Sequence, residues 1–168
     1  MSRISTRDLS IMALLAALVG VATMVIQIPV AATNGFINFG DAVIFLISII
    51  FGPVFALIAG GIGSAMADIL TGYGHWAPFT FVIKGLEGLL CGYIYLLVMK
   101  TTGKTVFAYL SSMAIAGLWM IVGYFFAGAF LYGYAATVAS ILGNVVQAVG
   151  SLTVAIFMVH PIRKALKR

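Results

Sequence analysis

Charge is scarce in this chain. Of its 168 residues only 8% are charged, and four are acidic: Asp8, Asp41, Asp68 and Glu87. A soluble domain carries about 25% charged residues. With 63% hydrophobic residues and a mean hydropathy of +1.19, the sequence cannot cover a water-facing surface. It reads as one integral membrane domain over residues 1–168. The net charge of +5 does not point to nucleic acid. Arg3, Arg7, Arg163, Lys164, Lys167 and Arg168 sit at the two termini, and Lys100 and Lys104 flank one short loop. That is the signature of the positive-inside rule.

Cysteine is nearly missing too. Cys91 stands alone in an apolar stretch, which excludes a disulfide framework and a thiolate metal cluster. His75 and His160 are too far apart in sequence to suggest a ligand pair, so no metal or other cofactor is expected. No G-x-x-x-x-G-K-[ST] loop occurs, and no nucleophile stands beside a base. The chain is therefore not expected to hydrolyse nucleotides or to be an enzyme. At the N-terminus, Arg3 and Arg7 precede an apolar run from Leu9 to Val30. This exceeds the 7–15 residues of a cleaved signal core and reads as a retained first span.

What is present is apolar sequence in six segments. The breaks "PVAATNGFINFGD", "FGP", "TGYGHWAP", "KTTGKT" and "LYGYAA" place them near Asp8–Val30, Asp41–Phe51, Pro53–Thr71, Pro78–Met99, Val106–Tyr132 and Ala135–His160. A span needs about 20 residues. The second segment is short and must be tilted, partly buried or half-spanning. Basic residues at both ends require an even number of spans. The expected fold is an all-α bundle of six transmembrane helices with both termini cytoplasmic, Gly52–Pro53 forming an inner turn.

Against this background "FTFVIKGLEGLL" (Phe79–Leu90) is unusual, because Lys84 and Glu87 lie inside a span. Three residues apart, they share a helix face. A charge at the bilayer centre costs roughly 2.5–3.5 kcal/mol on insertion scales, which favours a functional role over a merely structural pair. Asp68 lies in the last turn of segment three, where the helix dipole is unfavourable to a carboxylate; it should want a cation, and Lys84 is a candidate. Ser140, Asn144, Gln147 and Ser151 follow spacings of four, three and four, one stripe on segment six. Their amides serve either interhelical packing or a pocket. Asn38 and Asp41 lie in or beside the first outer loop, and Asp41 suits either a helix N-cap or a ligand contact. Trp76 fits the interfacial aromatic belt or a stacking surface for a flat ligand. Segment five offers only Trp119 and Tyr124 before its outer end. In this topology the polar groups gather in the outer half, which outlines a pocket open to the outside and closed below.

Small residues form a second pattern. Ala13 and Ala17, with Ala16 and Gly20 alongside, give segment one a smooth face, and Gly60, Ser64, Gly63 and Ala67 do the same for segment three.

The stretch "GFINFGDAVIFLISIIFGPVFALIAGGIGSAMADILTGYGHWAPFTFVIKGLEGLLCG" resembles the core of the S components of energy-coupling factor (ECF) transporters. Within that family it is most similar to the branch with members for hydroxymethylpyrimidine and pyridoxine. The likeness is strong from Asp8 to Gly92 and rests on length and topology elsewhere. It implies a six-helix protein of the bacterial cell membrane that binds a B vitamin or precursor from outside. It also implies a transmembrane T component and two cytosolic ATPase subunits as partners, with Ala13 and Ala17 at the T-component contact. The ligand would lie in the outer half, and the residues expected to line its site are Asn38, Asp41, Asp68, Trp76, Lys84, Glu87, Asn144 and Gln147. Rival readings are a self-sufficient carrier, which should carry polar residues through the inner half as well, an integral membrane enzyme, which lacks a nucleophile, and a passive scaffold, which leaves the outer cluster without purpose.

Overall fold

The structure, a computed structural model, describes residues 5–166. Arg3, Lys167 and Arg168 lie outside the described residues. Six α-helices account for most of the chain: α1 (Thr6–Val25), α2 (Gly40–Ile50), α3 (Pro53–Leu70), α4 (Ala77–Thr102), α5 (Thr105–Tyr132) and α6 (Tyr134–Leu166). All but α2 are long and apolar enough to cross a membrane. Each of the six apolar segments thus becomes a helix, and the chain is a multi-pass membrane protein. Its helices start where local chemistry permits. Ser5 accepts from the Asp8 amide at 3.2 Å while Asp8 Oδ2 accepts from the Ser5 amide at 3.0 Å, a reciprocal cap that satisfies first-turn donors. Pro53 occupies the first turn of α3, where its missing N–H costs nothing. Gly52 precedes it at φ +97°, a left-handed turn that suits glycine.

The first break is more structured than expected. Segment one does not stay helical to Val30. The helix stops at Val25, and β1 (Ile28–Val30) pairs antiparallel with β2 (Gly35–Ile37) across a short 3-10 turn, Ala31–Thr33. Pro29 explains the stop, since it disfavours helical backbone at Ile28 and cannot donate. The hairpin lies against α6, where Gly143 faces the Ile37 side chain.

Helix α2 has 11 residues, about 16 Å at 1.5 Å per residue, half of a 30 Å hydrocarbon core. Burial accounts for this short apolar segment. Nine of its residues are buried, including Ile44 and Phe45, because α2 is enclosed by α1, α3, α4 and α6. At the other extreme α6 does not end at His160 but runs through Pro161 to Leu166. There Arg163 Nη1 donates to Tyr95 Oη and Tyr109 Oη, both at 2.8 Å. This ties the end of α6 to α4 and α5 beyond the proline.

Glycine sets the helix spacing. A Cβ on Gly63 would sit 2.3 Å from the Ala16 carbonyl oxygen, and one on Gly88 would sit 2.6 Å from that of Ala56. Gly60 likewise meets the Lys84 carbonyl. The "AGGIGSA" run therefore serves two neighbours: Gly63 admits α1, and Gly60 admits α4. The α3–α4 contact holds Lys84 and Glu87 at a fixed depth beside α2.

Candidate functional site

Four elements meet where α2 begins. Lys84 of α4 forms ion pairs with Asp41 of α2 and, at 3.0 Å, with Glu87 Oε2 one turn along its own helix. Gln147 of α6 donates through Nε2 to Asp41 Oδ2 at 2.9 Å and accepts through Oε1 from the Asn38 amide at 2.9 Å. Asn38 Oδ1 in turn accepts from the Gly40 amide at 2.9 Å. Lys84 is 1% exposed, while Asp41 and Glu87 are fully buried. Buried charge is tolerable only when paired and hydrogen-bonded, and this cluster satisfies its cation twice. It also draws the end of the first loop onto α4 and α6.

Two readings that the sequence leaves open narrow here. Asp41 is no N-cap: Phe39 holds that position without a side-chain hydrogen bond, and the Asp41 carboxylate faces Lys84 and Gln147 instead. Asp68 does not bond Lys84, whose ammonium bonds Asp41 and Glu87. Asp41 lies 43 residues from Lys84, so only the folded position of α2 reveals it as the lysine's partner.

Above this cluster is a cavity enclosing about 40 Å³. Of the expected residues, Asn38, Asp68, Trp76, Asn144 and Gln147 line it. Asp41, Lys84 and Glu87 do not; they lie behind the wall. Thr80, Tyr124 and Ser140 complete the polar lining. Thr80 and Tyr124 were not marked as site residues by sequence, although Tyr124 falls at the same depth as Lys84, whose Nζ lies 5.4 Å from its ring centroid. Helix α5 thus reaches the cavity through Tyr124, while Trp119 Nε1 is engaged by the Ile83 carbonyl at 3.1 Å.

The hairpin roofs the cavity with Val30, Thr33, Gly35 and Phe36. Trp76 holds it there: its Nε1 donates to the carbonyls of Thr33 at 3.3 Å and Asn34 at 3.2 Å. Phe36 packs on Tyr73 at 4.7 Å between centroids. Tyr132 Oη and His75 Nε2, 2.6 Å apart, brace the same loop from α5. Trp76 is therefore a buried clasp between the roof and α4, not a belt residue at the lipid boundary.

Below the cluster the core is mainly apolar: Phe45, Leu46, Ile49, Met113 and Val159 pack around Cys91. The hydroxyls there mostly turn inward to helix backbone, as Ser48 donates to Ile44 O at 2.7 Å and Ser112 to Tyr109 O at 3.1 Å. Among the described residues no group of three or more potential ligands could hold a metal.

The two small-residue faces of α1 part company. Ala16 and Gly20 are buried on α3, whereas Ala13 and Ala17 remain exposed and line an apolar groove between α1 and α3 of about 580 Å³.

Comparison with known proteins agrees with this architecture. The family model described as ECF-type riboflavin transporter, S component, matches residues 3–164. An uncharacterized protein from Pyrococcus woesei is 39% identical over 137 residues, 81% of this chain and 88% of that protein. UPF0397 proteins of Streptococcus pneumoniae are 47% identical over 68 residues, 40% of this chain, a match that takes in 36% of their own length. A solved structure described as "Structure and mechanism of the S component of a bacterial ECF transporter" superposes with a TM-score of 0.69. It covers 96% of this chain and 98% of its own at 20% identity, a likeness of fold.

Proposed function

The chain belongs to the ECF-type transporter S component family, and from that premise we propose that it captures a ring-bearing B vitamin or vitamin precursor from outside the cell. Such a family member is a transporter component, not an enzyme. The observation that carries the reading is the roofed cavity, lined by polar groups from α3, α4, α5 and α6, above a core that is mainly apolar. A self-sufficient carrier would need a polar route through that core. The riboflavin of the matching family's description and the pyridoxine and hydroxymethylpyrimidine of the sequence resemblance are the first ligands to test. The cavity is far smaller than the roughly 300–1,000 Å³ of ligand sites, so the hairpin must move for any of them to enter. Asn38, Asp68, Trp76, Asn144 and Gln147 would touch the ligand, and Asp41, Lys84 and Glu87 would hold the wall in place behind them.

Uptake would require a T component and two ATPase subunits. The exposed Ala13–Ala17 face is the proposed dock for the T component, because small side chains let helices approach closely. Both termini would be cytoplasmic: after Cys91→Ala, an Asn34→Cys variant should react with an impermeant thiol reagent on intact cells and a Thr102→Cys variant should not. The decisive experiment is calorimetric titration of the purified chain with the three vitamins, together with identification of its copurifying subunits. Saturable one-to-one binding of one vitamin and copurification of a membrane subunit with two ATPases support the reading. Transport of the bound vitamin by the isolated chain in vesicles would instead establish the self-sufficient carrier.

A further inference from the structure

Several of the cavity's hydrogen-bond donors are already engaged within the protein. Trp76 Nε1 serves the roof carbonyls, and Tyr124 Oη donates to Thr80 Oγ1 at 3.1 Å. Ser140 Oγ donates to the Thr137 carbonyl at 2.8 Å, and Gln147 Nε2 donates to Asp41. Asp68 is the opposite case. It lines the cavity, is only 4% exposed, and its Oδ2 has no hydrogen-bond partner. A buried carboxylate oxygen without a donor is costly, and the cavity is the space from which a donor can come.

The charge is one-sided. Among the described residues no cation lines the cavity. The nearby ammonium of Lys84 is buried and already faces two carboxyl groups, so it has no surplus positive charge to offer a guest. An anionic group brought into the cavity would meet Asp68 in a water-poor setting, where like charges repel more strongly than in water.

Resting on the vitamin-binding reading, we infer that Asp68 is a specificity-determining residue that admits neutral or cationic ligands carrying N–H or O–H donors and rejects their phosphate esters. The protein would then take up the dephosphorylated form of its vitamin. A phosphatase-class reaction outside the cell would have to precede uptake of any phosphorylated source.

The test uses three matched pairs: riboflavin and riboflavin 5′-phosphate, pyridoxine and pyridoxine 5′-phosphate, hydroxymethylpyrimidine and its phosphate. Each is titrated into purified wild-type protein, Asp68→Asn, Asp68→Glu and Asn144→Asp, with thermal melts confirming the fold. In whichever pair binds, the wild type should prefer the unphosphorylated member by at least about tenfold, the scale of one hydrogen bond to a charged group. Asp68→Asn should shrink that preference by about tenfold, and Asp68→Glu should keep most of it. Asn144→Asp, which adds a second carboxylate to the cavity, should widen it even if Asp68→Asn fails to fold. Equal affinity for both members, or a preference unchanged in Asp68→Asn and Asn144→Asp, overturns the inference and leaves vitamin binding standing. Binding of none of the six compounds by the wild type overturns both.

Discussion

Two buried acidic sites lie side by side at the hairpin end of this bundle and differ in what surrounds them. Asp41 and Glu87 share one lysine, and Asp41 gains an amide from Gln147. Asp68 keeps an oxygen without a partner and borders a cavity. The first site joins α2, α4 and α6 around one cation, although Glu87 Oε1 has no hydrogen-bond partner there. The second is left open on the side from which a ligand would arrive. Each site keeps one unpartnered oxygen, and what separates them is its surroundings: Asp68 borders a cavity and Glu87 does not.

Removing the shared cation should break that contrast most severely. Lys84→Met leaves two carboxyl groups buried without their cation, and loss of one partner of a buried pair costs about 3–5 kcal/mol. The melting temperature of the ligand-free protein in detergent should fall steeply. The double variant Lys84→Met/Glu87→Gln should recover part of the loss, and no recovery would mean that Glu87 is not held by Lys84.

The next effect separates the two small-residue faces. Gly63→Leu forces a side chain into the Ala16 backbone, and overpacking costs typically about 1–3 kcal/mol. Ala13→Trp/Ala17→Trp should leave the melting temperature and vitamin affinity of the isolated chain near wild type while abolishing copurification of the membrane partner. A large stability loss in that variant would show that the outer face packs within the bundle.

Smaller again is the effect of Trp76→Phe. It keeps the ring and removes the donor to the roof carbonyls, a loss of about 0.5–1.5 kcal/mol. Ligand dissociation measured by stopped-flow should quicken several-fold, and an unchanged rate would show that the clasp does not limit roof opening. The smallest stability change belongs to Asp68→Asn. The ligand-free variant should melt within about 1 kcal/mol of wild type, because the unpartnered oxygen contributes no bond to lose. A drop as large as that of Lys84→Met would erase the distinction between the two acidic sites.

Much of this was legible in the chain. Sparse charge and six apolar runs fixed a helical membrane bundle, and the Lys84–Glu87 spacing placed both groups on one face. The stripe on α6 marked Asn144 and Gln147, and the Ala13–Ala17 repeat marked a smooth face. Helix periodicity carries this information, because side chains three or four residues apart must project together. The same local logic left two readings open at Asp41, cap or ligand contact, and at Trp76, belt residue or stacking surface. In both cases the partner is remote in sequence: Lys84 is 43 residues from Asp41, and Thr33 is 43 from Trp76.

The sequence by itself determined that the protein lives in a membrane, how many apolar segments it has, and which polar residues share a helix face. Those are consequences of solvent transfer and helical period, both local properties. Only the tertiary structure decided which carboxylate takes the lysine, that the first loop folds as a hairpin roof, and that Asp68 faces a cavity. A buried ammonium pairs with whichever acids the packed helices bring within reach, and glycine contacts such as Gly63–Ala16 and Gly88–Ala56 set that approach. Pairing is decided by distance across helices, and distance across helices is a property of the packed bundle alone.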